Sequence, residues 1–310
     1  MDKLLIIGAC GQLGQELTLA LREIAGDDNV IAADINPPPP ALEGGIFENL
    51  NVMDIAALYS IIKKHKINQI YNLAAILSAS GEKDPKFAWK LNMEGLLNVL
   101  DAVKELKLSK VFWPSSIAVF GPDTPVIAPQ NTIMNPNTVY GISKLAGERW
   151  CSYYHLKFGI DVRSLRYPGL VGYKSMPGGG TTDFAVDIYH KAVAGKTFEC
   201  FLEPDTFLPL MYMPDAISGT IQLMEAESKK ITVRDSYNIA GFSSSPDKIG
   251  TSIKKIIPGL KIEYKPDYRQ AIADSWPDAV EDTIARNTWN WQHQYSLEEM
   301  TKDIIKNLTT

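Results

Sequence analysis

Apolar residues along this chain alternate between two spacings. Short continuous runs at 3–7, 29–33, 46–52, 69–75, 111–113 and 161–165 are bounded by glycine, proline or polar clusters, as in strands buried on both faces of a parallel sheet. Between them, segments 15–24, 54–65, 92–106 and 138–158 repeat apolar residues three and four apart, which puts one helical stripe against a sheet. The alternation predicts an α/β architecture, a doubly wound parallel sheet. Beyond residue 167 the rhythm loosens. Helices are predicted over 184–194, 216–225, 245–257 and 297–308 and strands over 237–240 and 261–266, a smaller α+β lobe. The chain therefore divides into residues 1–167, with returns near 207–240, and a lobe of residues 168–310 interleaved with them.

The first strand meets the first helix through Gly8-Ala9-Cys10-Gly11-Gln12-Leu13-Gly14. Glycines there permit a tight turn, let backbone approach a pyrophosphate and leave helix N–H groups aimed at phosphates. This is the turn of a Rossmann-type dinucleotide fold, so Gly8, Cys10, Gly11, Gln12, Leu13 and Gly14 are expected around a cofactor. The second strand ends at Asp34. A carboxylate there accepts from ribose hydroxyls and repels a 2′-phosphate, which predicts NAD rather than NADP. Pro37 to Pro40 should form a stiff exposed loop beside that ribose. Small residues in Leu73-Ala74-Ala75, ending the fourth strand, let a cofactor lie against backbone.

Tyr140 and Lys144, four apart on a predicted helix, project the same way. A fixed cation beside a phenol favours phenolate and makes it a usable base for an alcohol proton. Pro114-Ser115-Ser116 breaks the fifth strand, and a hydroxyl at that end faces the ligand crevice.

Glycine turn, strand serine and Tyr-x-x-x-Lys together resemble the short-chain dehydrogenase/reductase superfamily in its extended, epimerase-like branch, over nearly the whole chain. The resemblance implies that Ser116 is the catalytic hydroxyl, with Ser115 the alternative. It also implies that Lys144 holds the nicotinamide ribose, that Asn92 holds an active-site water or the catalytic helix, that Asn51 and Val52 lie near adenine, and that nicotinamide passes over Tyr167-Pro168-Gly169. Two long helices, 92–106 and 138–158, would form a four-helix homodimer interface.

Within the branch, segments 77–82, 177–183 and 270–277 resemble the short-chain-type L-threonine 3-dehydrogenases. Such an enzyme would place Ser78, Gly180, Thr181, Thr182 and Trp276 around L-threonine, with loop N–H groups taking its carboxylate. Two other readings share the same fold. One is a nucleotide-sugar 4-epimerase, with Arg163, Arg166 and Arg234 as anchors; the other is a non-catalytic dinucleotide sensor.

A chain of 310 residues with a formal net charge of −5 has no basic cluster for a phosphate backbone, which argues against nucleic acid. Met1-Asp2-Lys3 leads straight into a strand-length apolar run, too short for a membrane span. Three scattered cysteines form no disulfide framework and fit a reducing cytoplasm. Four histidines, at 65, 155, 190 and 293, show no ligand spacing, so no metal is expected.

Overall fold

The computed structural model describes residues 2–310. In chain order the first half comprises β1 (Leu4–Ile7), α1 (Gln12–Ala25), β2 (Val30–Asp34), β3 (Phe47–Asn49), α2 (Ile55–His65), β4 (Gln69–Asn72), the short α3 (Ser78–Gly81), α4 (Pro85–Leu106) and β5 (Lys110–Phe112). β6 (Ser115–Ser116), β7 (Ile127–Ala128), α5 (Val139–Phe158), β8 (Val162–Arg163) and β9 (Leu165–Tyr167) follow. Six strands form one sheet in the order β3-β2-β1-β4-β5-β8, and every pair in it is parallel. The fold is thus α/β and doubly wound. Strand order reverses between β1 and β4, which opens a crevice at their carboxyl ends.

Local chemistry sets the helix limits. Asp54 caps α2 by accepting from Ala57 N, and Thr138 caps α5 by accepting from Gly141 N. Gly159, at φ +70°, closes α5 in the left-handed region that glycine tolerates. α1 begins three residues earlier than predicted, because the glycine turn itself supplies the first helical turn. α4 likewise extends back to Pro85, where Asp84 caps it and a proline in the first turn sacrifices no hydrogen bond.

The predicted strand at 161–165 divides. β8 stays in the main sheet, whereas β9 crosses to pair with β6 and with β13 (below), bringing Ser115 beside Arg166 and Ser116 beside Tyr167. The remaining elements are β10 (Gly169–Val171), α6 (Phe184–Val193), β11 (Phe198–Cys200), β12 (Leu208–Tyr212), α7 (Met213–Glu225), β13 (Tyr237–Asn238), β14 (Phe242–Ser244), α8 (Pro246–Lys254), β15 (Ile262–Tyr264), α9 (Tyr268–Ala273), β16 (Ala279–Val280), α10 (Thr283–Trp289) and α11 (Leu297–Thr309). Apolar cores line both faces of the main sheet, and a third fills the space among α6, α8, α11 and the smaller sheets. Among the described residues no helix is long and apolar enough to cross a membrane.

Candidate active site

One cleft of about 250 Å³ runs from the glycine turn to the loop before α6. Gly8, Gly11, Gln12, Leu13 and Gly14 line one end, and Leu73, Ala75, Ser116, Tyr140, Lys144, Tyr167 and Pro168 line the middle. Ser78, Gly180, Thr181, Thr182 and Trp276 close the far wall. Residues separated by up to 268 positions in sequence thus meet at one surface, since Gly8 and Trp276 both line it.

The dinucleotide end fits its expected occupant. Gly11 caps α1 without a side-chain acceptor, leaving first-turn N–H groups free to face an anion. Gly8 sits at φ +83° against the Ala74 backbone, and a methyl on Gly14 would overlap the Gly8 carbonyl, so both glycines are dictated by close packing. Asp34 ends β2 buried, its carboxylate accepting from Cys10 N at 2.9 Å and from Asn36 N at 2.9 Å. Asn36 Nδ2 adds a third donor at 3.1 Å, so only part of the carboxylate is left for ribose hydroxyls.

Ser115 and Ser116 diverge. Ser115 Oγ is buried and donates to Glu148 Oε1 at 2.6 Å, whereas Ser116 faces the cleft and hydrogen-bonds the Tyr140 phenol. Both residues line the cleft, but adjacent strand residues point to opposite faces, so only one of the two hydroxyls is turned toward Tyr140. Lys144 Nζ donates to the Pro114 carbonyl at 2.6 Å and lies over the Trp113 ring, 4.4 Å from its centroid.

The four-residue step between Tyr140 and Lys144 predicts that the lysine lowers the phenol's pKa. The opposite direction holds here: burial pushes Tyr140 up to about 12, and only the Ser116 hydrogen bond opposes it. Burial also brings Lys144 down to about 7, against the pull of Cys151 and Glu148. The lysine charge is directed at a carbonyl and an indole face and stands 5.5 Å from the centre of the phenol ring.

The substrate end differs from expectation in two respects. Gly179 N and Gly180 N, predicted to take a substrate carboxylate, already donate to Asp183 Oδ2 at 2.7 and 2.8 Å. Thr181 is buried and shares a 3.1 Å hydrogen bond with Ser78, so Thr182 is the more accessible of the two threonines.

Asn92, Asn51, Val52, Cys10, Ala74 and Asp34 do not line this cleft. Asn92 joins Ile76 N and O to Ser143 Oγ, which itself donates to the Tyr140 carbonyl, so it braces the helix rather than the cofactor. Asn51 Oδ1 accepts from Met53 N, and Val52 packs beneath Gly95.

The three arginines suggested as diphosphate anchors are all engaged elsewhere. Arg163 bonds the carbonyls ending α7, Arg166 bonds Glu148, and Arg234 bonds Asp161. Leu77, Ile117 and Asp183 line the cleft without having been expected there. Ile117 follows Ser116 directly, which is the signal that would have found it. Among the described residues no three His, Cys, Asp or Glu side chains gather as a metal site.

Residues 4–240 match the family described as NAD dependent epimerase/dehydratase. An uncharacterized epimerase/dehydratase of Staphylococcus saprophyticus is 46% identical over 309 residues, covering 98% of this chain and 96% of its own. The holo form of a GalE-like L-threonine dehydrogenase from Cupriavidus necator superposes with a TM-score of 0.96 at 54% identity, covering 99% of this chain and 100% of that one. A monomeric L-threonine 3-dehydrogenase from a metagenome, in its apo form, gives 0.95 at 44% identity, covering 98% of each chain.

Proposed function

The chain belongs to the NAD dependent epimerase/dehydratase family, and from that premise we propose that it oxidises L-threonine at its 3-hydroxyl to 2-amino-3-oxobutyrate. The observation that carries this reading is the meeting of Ser116, Tyr140 and Lys144 with Thr182 and Trp276 on one cleft that also contains the glycine turn. Bound NAD supplies the hydride acceptor. Gly8, Cys10, Gly11, Gln12, Leu13, Gly14 and Asp34 would hold its adenosine and pyrophosphate half, with Asn51 and Val52 near the base. Leu73, Ala74, Ala75, Lys144, Tyr167 and Pro168 would hold the nicotinamide half.

Tyr140 takes the hydroxyl proton in this scheme, and Ser116 donates a hydrogen bond to the reacting oxygen. A phenol raised by burial is a strong base once ionised, and the Ser116 hydrogen bond opposes that rise. Ser78 and Thr182 are placed at the amino-acid end of the substrate, Thr181 and Gly180 behind them. Trp276, 9% exposed, shuts water from the far wall.

Purified protein given L-threonine and NAD should accumulate NADH, followed by absorbance. No NADH from threonine, with conversion of a UDP-sugar instead, would replace this reading by the epimerase one.

The same proposal makes the protein a homodimer through α4 and α5, whose outer faces leave Phe87, Trp89, Trp150, Tyr153, Leu156 and Phe158 exposed. Sedimentation should give twice the chain mass. A monomer, like the metagenomic relative, would remove that part. A cytoplasmic setting completes the proposal, supported by three cysteines that are free thiols. The division at residues 167–168 is proposed as well, since all six strands of the main sheet lie before it.

A further inference from the structure

Behind the reacting groups lies a buried ion pair with no part in the scheme above. Glu148 follows Lys144 by one helical turn on α5, and its side chain is wholly buried. Its carboxylate accepts from Arg166 Nε and Nη2, both at 2.8 Å, and from Ser115 Oγ at 2.6 Å. Arg166 donates further to the Gln130 carbonyl at 2.9 Å and to Asn238 Oδ1 at 3.1 Å. One carboxylate thereby joins α5 to β6, whose next residue is Ser116, and to β9, whose next residue is Tyr167. Desolvation largely offsets the attraction within such a pair, so bulk stability is a weak account of its presence.

We propose that Glu148 is a positioning residue for the reaction: it clamps the serine-bearing strand to the helix of Tyr140 and Lys144, so that Ser116 keeps its place beside the phenol. The proposal rests on the assignment of Ser116, Tyr140 and Lys144 made above.

The test reads the clamp itself, by hydrogen–deuterium exchange of residues 111–120 without cofactor or threonine. Glu148→Gln should quicken backbone exchange around Ser115 and Ser116 roughly 3- to 10-fold, the effect of a weakened hydrogen bond, while α1 and α2 exchange as before. Should that variant fail to fold with Arg166 left unpaired, Glu148→Met combined with Arg166→Met removes both charges while keeping volume, and exchange there should still quicken. Ser115→Ala keeps the ion pair, and kcat should drop roughly 3- to 10-fold with KM for NAD unchanged. Unchanged exchange in a folded Glu148 variant, or full turnover in Ser115→Ala, overturns the proposal. A protein whose Glu148 variants loosen as stated but which never oxidises threonine retains the clamp and loses only the substrate reading.

Discussion

The Gln12 side-chain amide donates to the Met176 carbonyl at 2.8 Å, tying the first turn of α1 to the loop that leads to the substrate end. Lys174 and Glu16 add an ion pair at 3.2 Å between the same two segments. That loop therefore straps across the phosphate-facing helix terminus, and a dinucleotide leaving the cleft has to pass it. Gln12→Ala removes one hydrogen bond worth about 0.5–1.5 kcal/mol, so NADH release should quicken roughly 2- to 12-fold. Stopped-flow displacement of NADH measures this. An unchanged off-rate would mean the strap does not gate release.

Tyr140→Phe keeps the ring and removes only the proton acceptor. Turnover should fall about 10²-fold or more while NADH affinity, measured by fluorescence titration, holds. Turnover near the unmodified level would remove Tyr140 as the base.

Lys144 makes stability depend on pH with a definite sign. The folded chain releases this proton at about 7, below the ordinary lysine value of 10.5, so between those limits the unfolded chain binds more protons. Stability at this position is therefore lowest below pH 7 and rises as pH climbs toward 10.5. Lys144→Met carries no such cost. It should be more stable than the unmodified protein at pH 6, by a few kcal/mol at most, with the gap closing by pH 10. Urea unfolding at pH 6, 8 and 10 gives the comparison; a gap that widens with pH would contradict a buried, desolvated ammonium.

Asp34 should disfavour NADP by charge. Asp34→Ser removes the repulsion and leaves room for a 2′-phosphate, so the ratio of kcat/KM values for NAD and NADP should narrow by about 10-fold or more. Equal use of both cofactors by the unmodified protein would take Asp34 out of that role.

Features that depend on local spacing were legible in the chain itself. The glycine turn, the strand-ending Asp34 and the four-residue step from Tyr140 to Lys144 need only helix and strand geometry to be read. Ser115 and Ser116 could not be separated, because which adjacent residue faces the cleft depends on how β6 lies against β9. The occupation of the glycine-loop N–H groups by Asp183 was also hidden, since it follows from the path of one loop. The direction of the Tyr140 shift was hidden for a related reason: sequence shows the nearby cation but not the burial that raises the phenol, nor the Pro114 carbonyl and Trp113 ring toward which that cation is turned. Glu148 left a trace, a charge on the same helical face as Lys144, but its partner Arg166 lies on another strand.

Gly141 and Gly147 hold α5 so close to its neighbours that a single methyl on the first would overlap the Ala118 carbonyl and on the second the Trp113 indole. The helix bearing Tyr140 is thus seated against main chain and a rigid ring, with little that a substitution on its inner face can adjust. Evolution or a protein engineer seeking a different alcohol would find no latitude there. New specificity has to be carved into the opposite wall, at Leu77, Thr182 and Trp276, while the proton-transfer apparatus is inherited unchanged.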